Sequence, residues 1–138
     1  MVTRARDPLL VPSDALQAII GHAYDGYPLE ACGLLVGTGS AVRRFVPCTN
    51  SDASARVYSI PPRELLRAER AAEDDGLAVI GVFHSHTHSE PYPSPTDVEQ
   101  APDPDWHYVI VGLKREAPET RSYQIRDGAI SEERVAVG

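Results

Sequence analysis

Apolar positions along the chain switch between two periods, and the switches mark its elements. From residue 14 to 26, Leu16, Ile19, Ile20 and Ala23 recur at helical spacing. That pattern predicts a helix with one buried face, capped by Ser13 or Asp14 and ended by Gly26 and Pro28. Residues 30–37 (EACGLLVG) predict a strand, with 41–47 (AVRRFVP) as its hairpin partner across the turn TGS. Residues 56–60 (RVYSI) predict a short third strand. Pro61 and Pro62 open a second helix over about 62–75, ended by Asp74, Asp75 and Gly76. The apolar run 78–86 (AVIGVFHSH) predicts a buried central strand. After a Pro-rich loop from Thr87 to Pro93, SPTDVEQA predicts a short helix. Ser94 is its candidate N-cap, Pro95 takes the first helical position, and Asp97 lies in the first turn. Strands at 106–112, 119–126 and 129–136 complete the pattern, and residues 1–12 read as a loose or edge-strand lead-in. Strands interleaved with helices predict an α/β or α+β sandwich.

A chain of 138 residues fits one domain, and 42% hydrophobic with 24% charged residues is an ordinary globular balance. A chain of this size buries roughly 68% of its unfolded surface without disulfide staples. The two cysteines, Cys32 and Cys48, suit a reducing cytoplasm. The N-terminal stretch MVTRARDPLLVPSD has only a short apolar run, broken by prolines, so neither a signal peptide nor a membrane span is expected. The net charge of −7 is opposite in sign to that of a typical nucleic-acid binder. A cytoplasmic chain that engages neither nucleic acid nor membrane is the expectation.

His84 and His86 stand two apart at the end of the central strand. Strand side chains alternate, so both imidazoles point to one side and Ser85 to the other. Two such histidines can grip one ion, at ~2.0–2.1 Å if it is zinc. Asp97, in the short helix beyond the loop, can fold back as a third, oxygen ligand. Three protein ligands with one open position is the pattern of a catalytic zinc. The cysteines are too far apart for a zinc finger, and neither H-E-x-x-H nor the zinc-deaminase pattern is present. A lone H-x-H is weak, since strand-end histidines often meet solvent. Ser94 and Asp97 also have a complete explanation as helix-capping residues.

The longer string HSHTHSEPYPSPTD resembles the JAMM (MPN-plus) metalloprotease motif: H-x-H, seven residues, Ser, two residues, Asp, with a Glu on an upstream strand. The matching positions are His84, His86, Ser94 and Asp97, with Glu30 in PLEACGLLVG. PCTN, RVYSIPPREL, GVFHSH and HYVIVGL are similar to the family's supporting segments, so the resemblance spans roughly residues 14–137. It implies a single JAB/MPN domain over 1–138, an α/β (α+β) sandwich with a central mixed β-sheet flanked by helices, of cytidine-deaminase-like kind. It also implies one zinc per chain held by His84, His86 and Asp97. Glu30 would serve as general base, and Ser94 would donate a hydrogen bond to the tetrahedral oxyanion. Thr87 stands where many members have Pro, and the insertions that some eukaryotic members use to grip ubiquitin chains are absent. Both features tell against ubiquitin-chain cleavage.

The EACG segment, HSHT and the RSYQIRDGAISEE tail resemble the bacterial branch that frees cysteine from a ubiquitin-like sulfur carrier. The expected partner is therefore a sulfur-carrier protein with a C-terminal Gly-Gly, in cysteine synthesis or another thio-metabolite route. A homodimer is compatible with the family. The alternatives are a deconjugating isopeptidase on other ubiquitin-like conjugates and a non-catalytic MPN-type scaffold; the second needs a broken ligand set, and here the set is whole. Among lesser candidates, Cys32 shares the face of Glu30 if the strand is regular, though Cys32 and Cys48 read as core thiols. His88 could contact substrate or serve as a spare ligand. His22 and His107 read as structural, and Trp106 and Tyr108 as core or sheet-edge aromatics. Arg63, Arg67 and Arg70 read as a solvated helix face, with a basic stripe for an acidic carrier as the alternative.

Overall fold

The apolar run at 78–86 forms the middle of the protein because it is covered on both faces. The computed structural model describes residues 8–138. Among these, the order is β1 (Leu9–Val11), α1 (Ser13–Gly26), β2 (Cys32–Thr38), β3 (Ala41–Cys48), α2 (Pro62–Asp74), β4 (Ala78–His86), α3 (Pro95–Glu99), β5 (His107–Gly112), β6 (Glu119–Arg126), β7 (Ala129–Glu133) and β8 (Val135–Val137). The described strands form one mixed sheet in the order β7-β6-β5-β4-β2-β3-β1-β8. Strand β4 pairs antiparallel with β2 and parallel with β5. A β-carbon at Gly81 would run into the His107 carbonyl oxygen, so glycine permits that close β4–β5 approach.

The two faces of β4 have different neighbours. Phe83 joins Leu35, Val109 and Val111 in a core cluster with Ala15, Ile19 and Ala23 of α1. Val82 joins Leu34, Tyr108 and Ile110 in a second cluster with Ala68 of α2. One helix on each face of a mixed sheet is the expected sandwich. His84 and His86 follow Val82 on the α2 side, where the sheet ends.

Four expectations need correction. Helix α1 begins at Ser13 itself, with Pro12 in the cap position and no side-chain cap bond; Asp14 Oδ1 accepts the Ala15 N–H instead. Residues 56–60 are not a strand. The Asn50 side chain intercepts their backbone, donating to the Val57 carbonyl and accepting the Ser59 N–H, both at 3.0 Å. The expected strand 129–136 breaks at Arg134: Glu133 pairs with Ser122 of β6, whereas Val135 pairs with Leu9 of β1. The two ends of the sheet are thus joined through one residue, and the sheet curls until β6 and β8 touch. Strand β1 therefore lies between β3 and β8 and is not an edge. The expected lead-in over residues 1–7 lies outside the described residues.

Candidate metal centre

Strand alternation and one helix cap bring the candidate side chains together. In the β2–β4 register Cys32 faces His84, so continuing the pairing puts Glu30 opposite His86 on the same side of the sheet. Glu30 itself precedes the strand, which starts at Cys32. Its N–H donates to the Ser54 carbonyl at 2.8 Å, outside the ladder. The neighbouring Ala31 is held by Ser85: the Ala31 N–H donates to Ser85 Oγ at 2.8 Å, and the Ser85 N–H donates to the Ala31 carbonyl at 3.0 Å. The serine that points away from the histidines thus anchors the segment carrying Glu30.

Three donor atoms form a nearly equilateral triangle. His84 Nε2 lies 3.0 Å from His86 Nε2, and Asp97 Oδ2 lies 3.1 Å from each. Asp97 reaches this point through a capping box: Ser94 Oγ accepts the Asp97 N–H at 3.1 Å, and Asp97 Oδ2 accepts the Ser94 N–H at 2.9 Å. The capping and ligand readings of Asp97 are therefore compatible in one side chain. His86 Nδ1–H donates to the Glu90 carbonyl at 2.7 Å. That bond fixes the tautomer and leaves the Nε2 lone pair facing the triangle. Tyr58 stacks on His84, with ring centroids 4.4 Å apart and planes 19° apart. Glu30 brings a carboxylate oxygen within 4.8 Å of both ring donors.

Burial and neighbouring groups shift all four titratable side chains of the site. Burial pushes the Glu30 carboxyl up to about 7, His86 pulling it down and Asp97 pushing it further up. Burial also lowers His84, favouring the neutral ring that can ligate. His86 shifts upward: burial opposes its charge, but Asp97 and the Glu90 carbonyl favour a proton there. Burial disfavours the Asp97 carboxylate too, yet the adjoining His84 and His86 rings hold its carboxyl far below the ordinary range. Glu30 Oε1 is buried and has no hydrogen-bond partner. Four metal-compatible side chains, one orphaned buried oxygen and two imidazole nitrogens in contact together fit a bound cation. Ligands at ~2.0–2.1 Å from a tetrahedral centre lie roughly 3.3–3.4 Å apart, close to the observed triangle.

Residues 12–126 match the family model described as prokaryotic homologs of the JAB domain. This chain belongs to that family. Its relatives include the CysO-cysteine peptidase of Mycobacterium tuberculosis, 42% identical over 132 residues, covering 94% of this chain and 90% of that protein. The desampylase of Haloferax volcanii is 38% identical over 109 residues, covering 74% and 78% respectively. Among solved structures, protein DSY2949 of Desulfitobacterium hafniense superimposes with a TM-score of 0.83 at 32% identity, covering 94% of this chain and 92% of that one. As a JAB-family chain with peptidase relatives, the protein is a hydrolase with a mixed sheet flanked by helices.

Glu30, His84, His86, Ser94 and Asp97 thus converge on one place in this JAB fold. Cys32 does share their face, but burial pushes its thiol up to about 12, and Cys48 is raised alike. His22 Nε2 lies 3.0 Å from the Cys32 carbonyl and 3.2 Å from that of Cys48, away from the site. His107 bonds the buried Glu133 carboxylate at 2.7 Å, tying β5 to β7. Sequence reasoning passed over Tyr58, Asn50 and the anchoring role of Ser85. Their only sequence signal was membership of RVYSI, PCTN and GVFHSH, because each acts through a partner distant in sequence.

Proposed function

We propose that this protein is a zinc-dependent peptidase that cuts the amide bond after the C-terminal Gly-Gly of a ubiquitin-like sulfur carrier, releasing cysteine from a carrier–cysteine adduct. The observation that carries the reading is the donor triangle of His84, His86 and Asp97 with the Glu30 carboxylate beside it. His84, His86 and Asp97 would hold the zinc. Asp97 fits as the third ligand better than Glu30 because its oxygen is 3.1 Å from each nitrogen. Zinc bound there supplies Lewis acidity, acidifying water and polarising the substrate carbonyl.

The chain's own residues do the rest. Glu30, near the metal and not needed as a ligand, takes a proton from the attacking water and returns it to the leaving amine. Burial that lifts its carboxyl toward neutrality suits a group that must both take and give a proton. Ser94 Oγ accepts the Asp97 N–H, so its own hydroxyl hydrogen is free to donate to the oxyanion. Tyr58 and the Glu90 carbonyl keep the two imidazoles in orientation. The relatives' names support a carrier-linked substrate, and cleavage of the cysteine adduct is the specific claim.

Mass spectrometry of a Gly-Gly sulfur carrier bearing C-terminal cysteine, before and after incubation, tests it. Loss of one cysteine residue, abolished by a chelator and by Glu30→Gln, is expected. An adduct left intact by a zinc-loaded protein would reject the cysteine-releasing assignment. A second reading, an isopeptidase on side-chain-linked conjugates, draws on the likeness to the Haloferax desampylase.

A further inference from the structure

We propose that Arg56 reads a free α-carboxylate on the leaving residue, so that the enzyme removes one terminal amino acid in preference to opening a side-chain-linked conjugate. The inference rests on the peptidase reading above. Glu30, His86 and Ser94 open into a cleft of about 510 Å³, which Ala55, Arg56, His88 and Ser89 also line. Arg56 is the cation of that lining. Arg44, Arg115, Arg121 and Arg126 each pair with a carboxylate. Arg56 forms no ion pair among the described residues, as is true of Arg43, Arg63, Arg67, Arg70 and Arg134; what sets it apart is that it is exposed in the lining of the cleft that holds Glu30, His86 and Ser94.

The backbone at Arg56 is tied to the backbone of the base. One amide, Asn50 Nδ2, donates to the Glu30 carbonyl and to the Val57 carbonyl, both at 3.0 Å. Ser54 supports both sides as well: its carbonyl accepts the Glu30 N–H at 2.8 Å, and its Oγ accepts the Arg56 N–H at 3.0 Å. The backbone carrying the cation is thereby fastened to the backbone carrying the carboxylate.

His88 is occupied elsewhere. Thr87 Oγ–H donates to the Ala55 carbonyl at 3.4 Å, His88 Nδ1–H donates to Thr87 Oγ at 2.8 Å, and His88 Nε2 accepts from the Tyr27 hydroxyl at 3.5 Å. The Thr87–His88 pair thus steadies the wall of the cleft and leaves anion recognition to Arg56.

The chemistry of the leaving group decides what Arg56 can meet. In a terminal amino acid, the carboxylate carbon is two bonds from the nitrogen that receives the proton. A carboxylate this close to the reacting bond falls within the cleft and matches the bidentate fork of a guanidinium. In an isopeptide, the leaving nitrogen is attached to a lysine methylene chain, and the position carries no charge.

Two semisynthetic carriers ending in Gly-Gly-Cys, one a free acid and one a primary amide, separate the cases. The wild type should cut the acid with kcat/KM about tenfold or more above the amide, mostly through KM. Arg56→Gln should bring that ratio close to one, and Arg56→Lys should restore part of it. A wild-type ratio near one, or an undiminished ratio in Arg56→Gln, would overturn the proposal while leaving the peptidase reading intact. Failure of the wild type to cut either carrier would remove the cysteine-releasing reading and this inference together.

Discussion

Replacing Glu30 by glutamine should stabilise the metal-free protein at neutral and alkaline pH and lose that advantage in acid. The residue is only 4% exposed, and one of its carboxyl oxygens has no partner. Burial raises it from 4.5 in the unfolded chain to about 7 in the folded one. Below 4.5 both states hold the proton, and the group costs folding nothing through ionisation. As pH rises through 4.5 the unfolded chain releases its proton first, so the folded state loses relative stability until pH passes about 7 and both are ionised. Moving the carboxyl from 4.5 to about 7, at 1.36 kcal/mol for each tenfold change in proton affinity, gives a penalty of ~3 kcal/mol at about pH 8, an upper bound for a site that water can enter. Glutamine cannot ionise and should be spared it. Its amide differs from the acid in hydrogen bonding, which adds an offset common to all pH values. The diagnostic is therefore the change in the stability difference between about pH 8 and about pH 4. Urea unfolding of chelator-stripped parent and Glu30→Gln, with equal m-values, measures it. A stability difference that does not change with pH would refute the claim that an uncompensated buried carboxylate stands at this site.

Other outcomes follow from the same geometry. Asp97→Asn should abolish stoichiometric zinc binding, measured by atomic absorption, because an amide oxygen lacks the charge that the two histidines face. Chelation should lower the melting temperature of the parent, since a metal at about a thousand times its Kd contributes ~4 kcal/mol, and should barely move that of Asp97→Asn. Tyr58→Ala should weaken zinc affinity about tenfold or more by freeing the His84 ring, as read by competition with a chromogenic chelator. Ser85→Ala should strip the Ala31 N–H of its buried partner and cost about 1–3 kcal/mol in urea unfolding, with kcat falling while zinc stoichiometry holds. Iodoacetamide at about pH 8 should leave Cys32 and Cys48 of the native protein unmodified in intact-mass spectra, because thiols held up near 12 offer almost no thiolate.

Where the sequence could be read correctly, the cause was local. Helix α2 and strand β6 fall where apolar spacing and the Pro and Gly breakers put them. The Ser94–Asp97 capping box follows from two residues three apart ahead of a short helix. Residues 56–60 carry the β-branched and aromatic content of a strand, but a distant Asn50 side chain satisfies their backbone instead. The division of 129–136 at Arg134 was equally hidden: both halves have strand character, and only the position of β1 recruits the second half. Strand β2 starts at Cys32, two residues after the pattern EACGLLVG begins, because the Ala31 N–H donates to the Ser85 side chain, 54 residues away.

By itself the sequence determined the facing of His84 and His86, because alternation along a strand is a property of the backbone, and the presentation of Asp97 in a first helical turn, because capping acts over three residues. It also determined the central position of the run 78–86, whose apolar content has no stable place except between covering layers. Only the tertiary structure decided that Asp97 Oδ2 closes a 3.1 Å triangle with the histidines, that Glu30 stands opposite His86, and that Arg56 opens into the same cleft. Those relations depend on strand register and on hydrogen bonds from Asn50, Ser54 and Ser85 to distant backbone, and no local spacing encodes them.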